Sequence, residues 1–186
     1  GTIAWMNALG NAAGRLPGLE KEALHWLTLP AREKPDAELI SAMKLVVRQG
    51  YGVAAPALLD AARNRKSDAV RVAVVQSLAQ FQQPQVGSDL LSLWPKSSSR
   101  VRAEIMAAMV TRADRIAALL TALEKKVVAK ADISASTLNT LRAQKDGGFR
   151  SRVTKLFGAP EKAKTRQQVI NDYLPSLKLK GNAAKG

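Results

Sequence analysis

The sequence predicts an all-α protein that stacks pairs of helices, and two observations support this prediction. A trio of apolar residues with i, i+4, i+8 spacing, which marks one face of a helix, recurs three times at intervals of 31 residues. The trios are Leu39, Met43 and Val47, then Val70, Val74 and Leu78, then Val101, Ile105 and Met109. No segment alternates apolar and polar residues over a length that would indicate a strand. A fixed period of this size is typical of stacked helical units, which bury their apolar faces against their neighbours.

Two helices are predicted before the first trio. Residues 2–16 are rich in alanine and amphipathic, and Pro17 ends this helix. Residues 19–29 form the second helix, which Pro30 ends. A charged loop at residues 31–35 then leads into the helix of the first trio.

Capping residues mark where the trio helices begin. Asp36 is predicted as the N-cap of the first, Ser67-Asp68 as that of the second, and the serines at 97–99 as that of the third. The other helices of these units lie at residues 53–64 and 83–94. Each 31-residue unit is therefore predicted to contain a shorter helix, a tight turn and a longer helix that carries the trio.

The period breaks after Arg112. Residues 113–128 are predicted to form one helix, and residues 137–145 a further short one. Phe149, Val153 and Phe157 then restore the i, i+4, i+8 trio. This pattern predicts a last unit that is displaced by an inserted helix.

The chain changes character beyond this last trio. A final helix is predicted at residues 165–173, and a small, polar and flexible segment follows it. We divide the chain into a helical repeat domain, residues 1–158, and a terminal helix with a flexible linker, residues 159–186. The linker is expected to lead toward a downstream domain that is absent from this chain.

An arginine directly follows the first trio residue in three units, as Arg71, Arg102 and Arg150. The first unit departs from this pattern, because Ile40 stands in that place. The arrangement resembles HEAT-type repeats, whose second helix often opens with a polar cap followed by Val-Arg. This resemblance implies a right-handed α-α superhelix. It also implies a structural role for the three arginines, which would pair along the stack with loop carboxylates or carbonyls.

The chain is strongly basic, with 29 Lys and Arg against 15 Asp and Glu and a formal charge of +14. Such an excess favours acidic partners, although a solvated polar face is the more common reason for it. The excess is concentrated from Arg142 onward, and Lys125-Lys126 form a smaller cluster. The candidate contacts for an acidic partner are Lys125, Lys126, Arg142, Arg152, Lys155 and Arg166.

No pattern in the sequence indicates catalysis, a cofactor or a metal. There is no cysteine, and His25 is the only histidine. Ser41 and Lys44 match a Ser-x-x-Lys spacing, but the companion motifs of that enzyme class are missing. No glycine-rich phosphate loop and no membrane-spanning apolar run occur. The chain itself is therefore predicted not to be an enzyme.

The C-terminal third carries a second resemblance. Its residues are Ala131-Asp132-Ile133-Ser134, Leu138, Arg142, Gln144, Phe149-Arg150-Ser151-Arg152, Leu156-Phe157-Gly158, Arg166, Val169, Tyr173, Leu177, Leu179, Gly181 and Ala183-Ala184-Lys185-Gly186. They are similar to the segment before the C-terminal cytochrome c domain in large, dehydrogenase-like haem-binding proteins of planctomycetes and verrucomicrobia. Asn182 stands where that family usually has Asp, and Gly147-Gly148 where it has a polar cap.

This resemblance implies a periplasmic or cell-surface parent protein that transfers electrons through haem c in a downstream domain. No haem residue is expected here, because the chain contains no cysteine. The function expected is a non-catalytic scaffold that contacts neighbouring domains of the same polypeptide or an acidic protein. The alternative is a basic HEAT-like module that binds nucleic acid.

Overall fold

The computed structural model describes residues 17–29 and 35–159, together with Gln168, Ile170, Asn171 and Leu174. Within these residues all regular structure is helical. The nine α-helices are α1 Pro17–Thr28, α2 Asp36–Val46, α3 Tyr51–Asn64, α4 Asp68–Ala79, α5 Gln85–Leu93, α6 Ser99–Met109, α7 Ala113–Glu124, α8 Ala135–Arg142 and α9 Gly147–Phe157. Three short 3-10 helices lie after α2, after α5 and between α7 and α8, at Val47–Gln49, Trp94–Lys96 and Lys130–Asp132. The helix predicted at residues 2–16 lies outside the described residues, as does most of the one predicted at 165–173.

The helices form two layers. In the odd layer, α1, α3, α5 and α7 pack side by side in chain order. In the even layer, α2, α4 and α6 do the same. From α1 to α7 each turn of the chain therefore moves from one layer to the other, and each helix packs against helices of the neighbouring units. The predicted all-α class is confirmed.

The three trios lie between these layers. Eight of their nine side chains are at most 1% exposed, and Val47, in the 3-10 turn after α2, is half-buried. The predicted burial of the trios is thus confirmed. Burying such side chains stabilises the fold by about 1.5–3 kcal/mol each, before the entropy of ordering the chain is counted.

Side-chain caps fix where several helices begin. Ser67 accepts a hydrogen bond from the amide of Val70 at 3.5 Å, and Ser98 accepts one from the amide of Val101 at 3.4 Å. The prediction that Asp36 is an N-cap is wrong, because Pro35 holds that position and Asp36 is the first helical residue. Its carboxylate still favours the helix there, since it faces the positive end of the helix dipole.

Two predicted helix lengths need correction. In the second unit α3 has 14 residues and α4 has 12, so the first helix is not the shorter one. Gly50 is the reason, because its φ of 87° starts α3 at Tyr51, two residues earlier than predicted. The helix predicted at 113–128 ends at Glu124, and Lys126 takes a φ of 59° just beyond it.

A hydrogen bond joins two helices of the odd layer. The hydroxyl of Tyr51 on α3 donates to the carboxylate of Asp89 on α5 at 2.6 Å. Burial, together with this bond and the negative charge of Asp89, raises the pKa of Tyr51 to about 12. The ring of Tyr51 also packs edge-on against Phe81, so it connects the odd layer to the turn after α4.

The C-terminal end departs from the two-layer pattern. Of the last trio, Val153 is buried, whereas Phe149 and Phe157 are half-buried. α9 packs on α7 and α8, so it extends the odd layer, whereas the trio helices of the earlier units form the even layer. Arg142, the last residue of α8, donates to the carbonyl of Gly158, which follows α9. Because these two C-terminal ends are close, α8 and α9 do not form an antiparallel hairpin.

The contribution of a trio side chain is testable at Ile105, which is fully buried on α6. We expect Ile105→Ala to lower the free energy of unfolding by about 2–5 kcal/mol, because the lost side chain leaves a cavity between the layers. Urea unfolding followed by circular dichroism measures this change. Val53→Ala is the control, since Val53 is 44% exposed and its loss should change stability by less than about 0.5 kcal/mol. Equal losses for both variants would contradict the packing described here.

Candidate functional site

Arg71 ties successive units together. Its Nε donates to the carbonyl oxygens of Ala62 at 3.1 Å and Arg65 at 3.0 Å, at the end of α3. Its Nη1 donates to the carbonyl oxygen of Lys96 at 3.0 Å, in the turn of the next unit. One guanidinium therefore satisfies carbonyl groups that helix ends leave without partners.

Arg102 lies at the corresponding place one unit later. Its Nε donates to the carbonyl oxygen of Trp94 at 3.3 Å, and its guanidinium lies 5.1 Å from the centre of the Trp94 ring. Its Nη1 is 3.7 Å from a carboxylate oxygen of Asp132, in the turn before α8. Arg71 and Arg102 thus both contact the turn that follows them by one unit.

Arg150, the third arginine of the series, has different surroundings. It is exposed on α9, and within the described part of the chain its side chain makes no hydrogen bond or ion pair, whereas its backbone amide donates to the carbonyl of Asp146 at 3.2 Å. The sequence places Gly147-Gly148 where a polar cap is usual, but the helix of Arg150 does have a polar cap. The side chain of Asp146 accepts a hydrogen bond from the amide of Phe149 at 3.0 Å.

The most buried arginine was not predicted from the sequence. Arg115 on α7 is 2% exposed, and its Nη2 donates to the carbonyl oxygens of Phe81 at 2.6 Å and Ala79 at 3.0 Å. Its Nη1 donates to the carbonyl oxygen of Ala108 at 3.3 Å. Burial lowers the pKa of this guanidinium, although the nearby Asp114 opposes the change. The one signal in the sequence is its spacing of four from Leu119, which places it on the apolar face of α7.

A groove of about 560 Å³ separates α6 from α8. α6 supplies an apolar floor, and the wall from α8 and the turn before it is lined by hydroxyl groups. The floor consists of Ala103, Met106, Ala107 and Val110, and the wall of Ser134, Ser136, Thr137 and Thr140. Trp94, Arg102 and Asp132 close one end. An apolar floor with a polar wall is typical of surfaces that bind amphipathic segments.

The groove exists because α8 packs on α9 more than on α6. In the preceding unit α4 packs directly on α6, and Gln76 donates to the carboxylate of Glu104 across that contact at 3.4 Å. The floor residues Ala103, Met106 and Val110 follow Val72, Val75 and Ala79 of α4 by one 31-residue period. The face of α6 that corresponds to the stacking face of α4 is therefore open.

The six candidate contacts for an acidic partner differ in whether their side chains are exposed or already bonded within the protein. Lys125, Lys126 and Lys155 are exposed. Arg152 is held in the protein, because its Nε and Nη2 donate to the two carboxylate oxygens of Glu124 at 2.7 and 2.8 Å, and Nη2 also reaches Thr121. Arg142 donates to Gly158, and Arg166 lies outside the described residues.

The described residues bring together no set of side chains for a reaction. His25 is exposed on α1, and the hydroxyl of Ser41 donates to the carbonyl of Ala37 at 3.0 Å. Nowhere in residues 17–29 and 35–159 do three His, Asp or Glu side chains meet in a way that would hold a metal ion. None of the described helices is both long and apolar enough to cross a membrane.

Comparison of the chain with known protein families, with curated proteins and with solved structures finds no match.

The structural role of Arg115 is testable by replacing its charge with an apolar chain of similar length. We expect Arg115→Met to lower the free energy of unfolding by at least about 2 kcal/mol, because the buried carbonyls of Ala79 and Phe81 lose their donor. Thermal and urea unfolding measure the change. Arg150→Met is the matched control, since Arg150 is exposed and its loss should cost less than about 0.5 kcal/mol. A loss of unfolding free energy as small as that of the control would show that the guanidinium of Arg115 is not needed for stability.

The ion pair between Arg152 and Glu124 gives a pH-dependent prediction. The hydrogen bond from Arg152 lowers the pKa of Glu124 below its ordinary value of 4.5. The pair therefore stabilises the fold above pH 4.5, and this contribution is lost as the pH falls through the lowered pKa. We expect Arg152→Gln to raise the pKa of Glu124, measured by NMR titration of its carboxyl carbon. Lys155→Gln should raise it less, because Lys155 acts on Glu124 through its charge alone. An unchanged pKa in Arg152→Gln would contradict the pairing.

Proposed function

We propose that this chain is a non-catalytic scaffold that binds an amphipathic helix of a neighbouring domain or partner protein in the groove between α6 and α8. The observation that carries the proposal is the open stacking face of α6. In the layer formed by α2, α4 and α6, each helix covers the apolar face of its neighbour. At α6 this order stops, and within the described residues Ala103 and Ala107 of the floor are exposed, Val110 is half-buried and Met106 is 6% exposed.

The shape of the floor favours a helix over an extended strand. Ala103 and Ala107 are exposed and four residues apart, so they form one small-residue ridge on α6. Such a ridge lets a second helix approach closely, with its larger side chains against Met106 and Val110. The hydroxyl groups of Ser136 and Thr140 on the opposite wall can pair with polar side chains at the edge of that helix.

The wider arrangement proposed is a HEAT-like, right-handed α-α superhelix. Support comes from the 31-residue period, from the two helical layers and from Arg71 and Arg102, which both contact the turn of the following unit. In such a superhelix each unit hides its apolar face only against its neighbours, which suits a scaffold better than an enzyme pocket.

The C-terminal resemblance extends the proposal to a parent protein. In this reading the chain joins a dehydrogenase-like or binding domain to a periplasmic or cell-surface cytochrome c domain, which would carry the haem and transfer electrons. The resemblance rests on residues 131–186, and residues 160–186 lie mostly outside the described part of the structure. Helices α8 and α9, which carry its first half, form the wall of the groove and the helix behind it.

Nucleic-acid binding is a second candidate, and exposed cations favour it. Six cations are exposed in or beside the turns that follow α3, α5 and α7, namely Lys66, Lys96, Arg100, Lys125, Lys126 and Lys130. Cations spaced along one edge of a stack can follow a phosphate backbone, and such binding weakens steeply as salt is added.

A photoreactive side chain at position 103, on the floor of the groove, tests the scaffold proposal in the full parent protein and its complexes. We expect its cross-links to map to one amphipathic helix with apolar residues at i, i+3 or i+4, and i+7. The same group at Ala69, exposed on α4 outside the groove, is the control and should not reach that helix. Adding Ala107→Arg, which fills the floor, should reduce the cross-links at least about tenfold.

Two outcomes would contradict this proposal. One is the same set of cross-links from positions 69 and 103, which would show unspecific contact. The other is a cross-link from position 103 to residues 165–177 of this chain, since the groove would then be filled from within.

A further inference from the structure

A second pocket, of about 280 Å³, lies where α3 ends and α4 begins, against the turn between α5 and α6. It is separate from the groove between α6 and α8. Three cationic side chains line it, Arg63 at the end of α3, Arg71 on α4 and Lys96 in the turn after α5. Asn64, Ser92 and Ser97 are the other polar side chains of its lining.

The guanidinium of Arg71 is fixed in this pocket before any ligand arrives. Its Nε and Nη1 donate to the carbonyl oxygens of Ala62, Arg65 and Lys96. Within residues 17–29 and 35–159, its Nη2 donates to no acceptor. A charge that the fold holds in place loses little freedom when it binds, so it contributes more to affinity than a mobile side chain does.

No carboxylate is among the described residues that line the pocket. Arg63 and Lys96 are exposed and form no ion pair with any described residue. Of the nearest acidic residues in the sequence, Asp60 accepts a hydrogen bond from the lining residue Asn64 at 3.1 Å, and Asp68 accepts one from Ser98 at 2.6 Å. An anion in the pocket would lie near three positive charges and would be attracted to each of them.

We propose that this pocket binds a phosphate group. Phosphate carries up to two negative charges and presents oxygens in several directions, which suits two guanidinium groups and one ammonium group. The hydroxyls of Ser92 and Ser97 already donate to the carbonyls of Asp89 and Leu93, and the side-chain amide of Asn64 donates to Asp60, so the three cations supply the donors. The phosphate has two sources with the same chemistry, a small phosphate ester or the backbone of a nucleic acid.

NMR titration of the full 15N-labelled chain with inorganic phosphate tests the proposal, with ionic strength held constant by chloride. We expect saturable shifts of the amides of Asn64, Ser97 and Val101. The double variant Arg63→Gln/Lys96→Gln should weaken binding at least about tenfold, because two charged donors are lost. Arg71 is kept, since it holds the turns together. Lys145→Gln/Arg150→Gln is the matched control, because it removes the same charge from exposed positions on α9 and the turn before it.

The same titrations with glycerol phosphate and with a short DNA duplex distinguish the two sources. Saturable binding of the ester but not of the duplex supports a small phosphate ester. Binding of both, with the same loss in Arg63→Gln/Lys96→Gln, supports a nucleic-acid backbone. Shifts that do not saturate, or that weaken equally in both double variants, would overturn the phosphate site and would leave the groove between α6 and α8 untouched.

Discussion

Carbonyl groups at the C-terminal ends of helices have no donor within their own helix, and in a stack many of these ends are shielded from water. The arginines of this protein satisfy them. Arg65 donates to Leu29, Arg71 to Ala62 and Lys96, and Arg115 to Ala79 and Phe81. These bonds join residues 9 to 36 positions apart, so they connect separate units as well as capping them. Without them the apolar faces of the layers would meet beside unsatisfied polar groups, which costs about 1–3 kcal/mol for each group.

This use of arginine changes what the high positive charge means. A count of +14 treats every cation as available to a partner, whereas Arg65 and Arg115 are buried and Arg152 is bound to Glu124. Among the described residues, most of the cations that remain exposed are lysines, and several of them lie beside the turns. Lysine suits this place, because its flexible chain gains little from a fixed contact with a carbonyl and keeps its ammonium group in water.

The sequence predicts well what depends on local spacing. The trios at Val70 and Val101 mark faces that are buried, and the arginine after each of them contacts backbone carbonyls. It predicts poorly what depends on the path of the chain. Arg115 lies on an apolar face, and nothing nearby in the sequence shows that the carbonyls of Ala79 and Phe81 would meet it. The sequence does not predict the groove either, because the groove arises from α8 packing on α9. The apolar pattern within one helix does not determine which other helix it packs against.

The ion pair of Arg152 with Glu124 ties α9 to α7 at the surface, whereas the bonds of Arg115 tie α7 to the units before it in the interior. Surface pairs contribute about 1 kcal/mol or less, so the stack should fray first at α9. The wall of the groove packs on α9 and would loosen with it. Added salt is therefore expected to weaken this one link between α9 and α7, whereas the packing of the buried Val153 is not screened in this way.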